Sequence, residues 1–140
     1  MDKNELESSK HILVIDDDMT NNLIFGKHLE VIDKSITYAS KTTVAAALDY
    51  LRDCANGSAK FPDLIFVDRH MPGKDGFYFL DVYEEEFYPK KIDTKVFVVS
   101  STDKQLVLLD RPKNYKSVAD YIEKGFIYQK LPILAKKYLK

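Results

Sequence analysis

The chain has 140 residues, 45% hydrophobic and 31% charged, with a formal net charge of −1 from 21 basic and 22 acidic side chains. That is one domain with enough apolar residues for a full core, and no charge excess to draw nucleic acid or an anionic membrane. The single cysteine, Cys54, excludes an intrachain disulfide framework and fits a reducing, cytoplasmic setting; no apolar run reaches membrane-span length.

Residues 1–10 are polar, lack the apolar stretch of a signal peptide, and read as a flexible leader before a domain spanning 11–140. Ile12-Leu13-Val14-Ile15 is a continuous apolar run that ends at Asp16. It reads as a strand buried on both faces, as in a parallel sheet. Asp17 and Asp18 follow, Asp18 as a helix cap, and Thr20 or Asn21 can also cap a helix carrying Phe25, Leu29 and Ile32. Ser35 to Ser40 reads as a more polar strand nearer an edge. Thr42 opens a helix with Val44, Ala47, Leu48 and Leu51 on one face, and Cys54 packs beside Leu51. Asn56-Gly57-Ser58 is a loop, and Pro62-Asp63 leads into Leu64-Ile65-Phe66-Val67, which ends at Asp68.

Met71-Pro72-Gly73 lets the chain turn sharply, and Asp75-Gly76 serves as a helix-entry turn. The helix that follows carries Phe77, Leu80, Tyr83 and Phe87 and stops at Pro89. Val96-Phe97-Val98-Val99 ends at Ser100. A helix over roughly Lys104 to Leu109 precedes Pro112, and Val118 to Ile122 reads as a short fifth strand. Ile127, Leu131, Leu134 and Tyr138 mark a last helix, with Lys136, Lys137 and Lys140 at its end complementing the helix dipole.

Strands alternating with helices predict an α/β fold, a doubly wound five-stranded parallel sheet with helices on both faces. Ligands of such sheets bind beyond the carboxyl ends of the strands, which is where Asp16, Asp17, Asp68 and Ser100 fall. Carboxylates with a hydroxyl and no histidine ligands suggest Mg²⁺ and phosphate chemistry. His11, His28 and His70 show no metal-ligand spacing.

Asp16-Asp17 after the first strand, Asp68 with Met71-Pro72-Gly73 and Asp75-Gly76 after the third, Ser100 after the fourth and Lys124 after the fifth form a specific combination. In these residues the chain resembles a response-regulator receiver domain, the phosphoacceptor of two-component signalling, from about His11 to Leu139. Val98 to Ser101 and Tyr121 to Lys124 are similar to stand-alone bacterial receivers. The resemblance implies the flavodoxin-like strand order 2-1-3-4-5 and Asp68 as the acceptor of a phosphoryl group from a histidine kinase or histidine phosphotransfer protein. It implies Mg²⁺ held by Asp16, Asp17, Asp68 and the backbone carbonyl of His70. Lys124 and Ser100 would bind phosphoryl oxygens. Ser100 and Tyr121 would act as the switch, with Tyr121 rotating inward. The protein would then be a stoichiometric phosphoacceptor rather than an enzyme, promoting at most its own phosphorylation and dephosphorylation. Its output would pass through the last helix, the fifth strand and the helix before it, to a downstream protein or a second copy. The side chain of His70 could also influence water attack on the phosphorylated aspartate.

Two features depart from that pattern or compete with it. Gly125 stands where the family lysine is followed by proline. A second register would use Lys130 with Pro132 and a strand from Phe126 to Tyr128; Lys124 is preferred, which places Pro132 near the start of the last helix. Two other functions fit part of the sequence. One is a receiver-like module that binds partners without phosphorylation. The other is a haloacid-dehalogenase-type phosphatase, with Asp16 as nucleophile, Asp18 as acid/base and Ser100 and Lys124 in support. That reading leaves Asp68 unused and finds no acidic residue after Gly125.

Overall fold

A computed structural model describes residues 10–91, 93–101 and 115–139. Its elements are β1 (His11–Ile15), α1 (Met19–Ile32), β2 (Thr37–Lys41), α2 (Val44–Ala55), β3 (Leu64–Asp68), α3 (Gly76–Glu86), β4 (Lys95–Ser100), β5 (Val118–Glu123) and α4 (Ile127–Tyr138). Single 3₁₀ turns lie at Tyr88–Lys90 and Lys124–Phe126. The strands are all parallel and lie in the order β2-β1-β3-β4-β5, the flavodoxin-like arrangement expected from the sequence. No described helix is long and apolar enough to cross a membrane.

The apolar runs alternate between two cores. Leu13, Ile65, Val67, Val96 and Val98 pack with Leu51 of α2 and Leu80 and Tyr83 of α3. Ile12, Val14, Phe66, Phe97 and Val99 pack with Phe25 and Leu29 of α1 and Ile127 and Leu131 of α4. Burial on both faces explains why these strands are continuously apolar. β2 lies at the edge and is only partly buried, which accounts for its polar sequence.

One irregularity governs the last strand. Val96 pairs with Val118, but Phe97 pairs with Asp120, so one extra residue is inserted in β5. An odd insertion reverses which face each later side chain meets. Tyr121 thereby joins the core beneath α2 and α3, and Ile122 the core beneath α1 and α4.

Several boundaries differ from the sequence expectation. β2 begins at Thr37 rather than Ser35, because the Asp33 carboxylate accepts bonds from the N–H and hydroxyl of Ser35 and holds it in a turn. Asp18 caps α1 as expected, and Thr20 and Asn21, the other cap candidates, are instead the residues whose N–H groups it accepts from. Thr43, not Thr42, caps α2. Asp75 caps α3. Pro132 is inside α4 rather than in its first turn. Its exposed position leaves the carbonyl one turn earlier to water, which lowers the cost of the missing N–H. Residues 1–9 of the leader expected over 1–10, the helix expected near Lys104 to Leu109, and Lys140 lie outside the described residues.

At the amino end of the sheet His11 is buried in a chain of polar contacts. Its Nδ1 lies 2.7 Å from Thr37 Oγ1 and its Nε2 2.6 Å from Tyr50 Oη. Thr37 Oγ1 donates to the Lys10 carbonyl at 3.2 Å, so it accepts from Nδ1–H, and Nε2 is left to accept from Tyr50. A proton on Nε2 would place a charge in this buried site. Burial, then nearby Lys60, holds the His11 pKa below its ordinary value. The neutral ring therefore stabilises the fold fully above the unfolded value of about 6.5, and that contribution is lost as pH falls through the lower folded value. Thermal melts should show Tm falling as pH drops below about 6.5, and His11→Gln should flatten that slope. An unchanged slope in the variant would refute the assignment.

Candidate functional site

Three strand ends build the site. β1 delivers Asp16 and β3 delivers Asp68, both buried, with Asp17 exposed beside them. One carboxylate oxygen from each of these three residues lies within 4.8 Å of the others. Asp16 and Asp68 occupy equivalent positions after the paired residues Ile15 and Val67, so the shared register of the parallel strands brings them together.

Local bonds fix each carboxylate. Asp16 Oδ1 accepts the Asp18 N–H at 3.0 Å, and Oδ2 accepts from Asn21 Nδ2 at 3.4 Å. Asp68 Oδ1 accepts the His70 N–H at 3.2 Å, and Oδ2 accepts from Lys124 Nζ at 3.1 Å. Lys124 Nζ also lies 3.4 Å from Asp16 Oδ2. Lys124 thus bridges the two buried acids from the end of β5, the position expected for it rather than for Lys130. Gly125 follows it, and a Cβ added there would meet open space.

The electrostatics reflect this crowding. Burial pushes the Asp68 carboxyl above the usual carboxylate range and Asp16 adds to the rise, while the His70 N–H and Lys124 only partly oppose it. Burial alone would lower Lys124, but the Asp68 and Asp16 carboxylates outweigh it and raise its pKa. The site holds more negative charge than its own cation balances. Three hard oxygen donors with a surplus of charge suit a divalent cation such as Mg²⁺.

The segment after Asp68 closes tightly over the strand end. Gly73 takes φ = +78°, the sharp turn expected of Met71-Pro72-Gly73. The Gly76 N–H then bonds the Arg69 carbonyl at 3.1 Å. A Cβ on Gly76 would lie 2.7 Å from the Asp68 carbonyl oxygen and 3.0 Å from Arg69 Cα. Gly76 therefore does more than open a helix: it lets α3 start directly against the backbone of Asp68. The sequence offered the Asp75-Gly76 pair but not this contact.

The remaining predicted site residues are placed as follows. Ser100 is buried at the end of β4, one residue beyond Val99, the register partner of Asp68. Tyr121 is already packed inward, 6% exposed. The His70 side chain is exposed, with Nδ1 3.2 Å from Arg69 Nη1, so its ring points to a neighbouring cation rather than into the acid cluster. Asn22 was not singled out by its sequence position. It is buried, and its Nδ2 donates to the Asp16 carbonyl at 3.0 Å.

No protein-family model matches the chain, and no curated protein matches it. Solved structures do. A two-component response regulator from Cytophaga hutchinsonii is 25% identical, with a TM-score of 0.77, covering 93% of this chain and 96% of its own. The phosphorylated cyanobacterial phytochrome response regulator RcpA is 21% identical, with a TM-score of 0.74 and 94% of each chain covered. Response regulator TrrA from Thermotoga maritima, solved in complex with Mg²⁺-BeF, is 21% identical, with a TM-score of 0.69, covering 92% of this chain and 98% of its own. The chain has the receiver fold of response regulators.

Two substitutions test this geometry. Gly76→Ala should lose about 1–3 kcal/mol of stability in chemical denaturation, because backbone and not a flexible side chain must move. The raised Asp68 pKa means that ionising it opposes folding, a penalty that appears as pH rises through the carboxylate range. Without divalent cations, Asp68→Asn should therefore raise Tm at neutral pH, and the difference should close below about pH 4. A Tm for Asp68→Asn below the parent at neutral pH would contradict it.

Proposed function

We propose that this protein is a response-regulator receiver that accepts a phosphoryl group on Asp68. One observation carries the reading: a buried carboxylate at the end of the central strand, bonded to Lys124 and within 4.8 Å of two more carboxylates. In the transfer, an Asp68 oxygen forms a bond to phosphorus as the bond from phosphorus to a histidine nitrogen breaks. The histidine leaves on the donor kinase or phosphotransfer protein, and an acyl phosphate is left on Asp68.

The acid cluster fits Mg²⁺, and Asp16, Asp17, Asp68 and the His70 carbonyl would hold it. Such an ion supplies charge neutralisation for the incoming phosphoryl oxygens and relieves the crowding of the acids. Lys124 would keep one cationic contact on the phosphoryl group, and Ser100 would donate a hydrogen bond to it. Switching would then couple Ser100 to Tyr121, fixing the inward position that Tyr121 occupies in this structure. The output face would include α4 and β5, acting on a downstream protein or a second copy of the chain. A cytoplasmic location belongs to the same reading, supported by the lone buried cysteine.

The phosphatase reading is not favoured. Asp18, its acid/base, is committed to capping α1, and that reading gives no role to the buried Asp68, which Lys124 contacts more closely than it does Asp16. A partner-binding module that is never phosphorylated would have no use for the excess charge built around Asp68.

Incubation with Mg²⁺ and a small phosphodonor should add one labile phosphoryl group by intact mass, and Asp68→Asn should add none. Absence of the adduct on the parent, with Mg²⁺ bound, would overturn the reading. Mg²⁺ alone should raise Tm, equivalent to about 2.7 kcal/mol at a hundredfold excess over its Kd, with a smaller rise at the same concentration in Asp17→Asn.

A further inference from the structure

The two sides of the sheet carry opposite charge. On one side, α2 and α3 hold six acidic side chains, Asp49, Asp53, Asp81, Glu84, Glu85 and Glu86, against the single base Arg52. Lys74, Lys90 and Lys91 border that side, and its balance stays acidic. On the other side, α4 holds Lys130, Lys136 and Lys137 and no acid, while α1 contributes Lys27 and Glu30, which lie 4.0 Å apart and offset each other. A net charge of −1 therefore conceals a polarity across the sheet.

Apolar surface is exposed among these charges on both sides. Phe126, Lys130, Ile133 and Lys137 recur at helical spacing and share one outward stripe along α4. Phe126 is 49% exposed and Ile133 65%, and both lysines are exposed with no ion pair among the described residues. Tyr78, Val82 and Glu85 form the outward stripe of α3 by the same spacing, and Tyr78 is 39% exposed. Glu85, and Asp53 of α2, are exposed with no hydrogen bond or ion pair among the described residues. Other acids on this side are tied within the chain: Glu86 and Asp49 to Arg52, and Glu84 to the N–H groups of Lys116 and Ser117. The sheet stands between the two stripes, so one molecule cannot bring them together. Two α4 stripes facing each other across a two-fold axis would set lysines against lysines, which like-charge repulsion opposes.

We propose that copies of this chain associate head to tail, the α4 stripe of one seated on the α2–α3 side of the next. Lys130 and Lys137 meet Glu85 and Asp53, and Phe126 and Ile133 cover Tyr78 and Val82. Such a contact is heterologous: every added copy still offers one open face of each kind, so the assembly grows past a dimer into a ring or an open chain. Neither face includes Asp68 or the acids beside it, so the association does not rest on the phosphoacceptor reading.

Analytical ultracentrifugation of the whole chain, free of Mg²⁺ and phosphodonor, tests this. In about 10 mM salt the weight-average mass should rise with protein concentration past that of a dimer, and about 1 M salt should weaken the association at least about tenfold. Lys130→Gln with Lys137→Gln leaves only the acidic side intact, and Asp53→Asn with Glu85→Gln leaves only the basic stripe. Each pair should weaken self-association about tenfold or more, whereas an equimolar mixture of the two proteins should recover a dimer and nothing larger. Ile133→Ser should weaken the parent's association without changing its charge. All five positions are exposed, and circular dichroism checks that the fold is kept. A parent that stays monomeric up to about 1 mM in low salt overturns the proposal. So does dimerisation of the variant with only the basic stripe intact, which would mark a two-fold contact through α4. A monomeric parent whose α4 lysines instead bind poly-glutamate or phosphatidylserine vesicles overturns it as well, by giving the stripe a different partner. Because no Mg²⁺ or phosphodonor is present, failure here leaves the phosphoacceptor reading standing, and failure of that reading leaves this one standing.

Discussion

Two carboxylates buried side by side are the constraint around which this fold is arranged. Asp16 and Asp68 stand at the ends of adjacent parallel strands, where a shared register gives them no means of separating. Lost hydration, and then the neighbouring Asp16 charge, act against the ionised form of Asp68. The chain answers with fixed local groups: the Asp18 N–H on one acid, the His70 N–H on the other, and Lys124 between them. These do not fully compensate, since the Asp68 pKa remains raised. A site left with excess charge is poised for an external cation, and stability given up locally is a common feature of functional sites.

The surrounding elements hold that arrangement in place. Two apolar cores sandwich the sheet, so the strand ends cannot shift without moving α1 and α4 on one side or α2 and α3 on the other. Gly76 allows α3 to begin against the Asp68 backbone, and Asp75 caps the same helix. The segment entering β5 is tied to α3 as well. Tyr115 Oη donates to Asp81 at 2.9 Å, and the N–H groups of Lys116 and Ser117 donate to Glu84 at 2.7 and 2.9 Å. The helix that abuts the phosphoacceptor candidate thus also anchors the strand that carries Lys124.

The site is also two environments in contact. Its outer part is acidic, with Asp17 exposed beside two buried carboxylates, and its inner part is lined by aromatic and branched side chains. Asn22 sits at the junction, one end of its amide holding the Asp16 backbone and the other unpartnered.

Sequence alone determined the strands and most of the residues that meet at their carboxyl edge, because both are written in local pattern. Continuous apolar runs ending in Asp16, Asp68 and Ser100 identify doubly buried parallel strands, and the carboxyl-edge rule then gathers their ends. Gly73 and the Asp75-Gly76 pair announced turns through backbone freedom and capping. Boundaries set by competing side-chain bonds were harder to read, as with Asp33 drawing Ser35 out of β2. Only the tertiary structure decided what depends on distant contact. The extra residue in β5 leaves no mark in its composition, yet it turns Tyr121 to the α2–α3 face and sets how Lys124 meets the acids. The closeness of Gly76 to Asp68, the cavity between α1 and α4, and the orphaned oxygen of Asn22 arise the same way. Periodicity fixes which residues share a face of one element, whereas register and packing between elements fix which atoms meet.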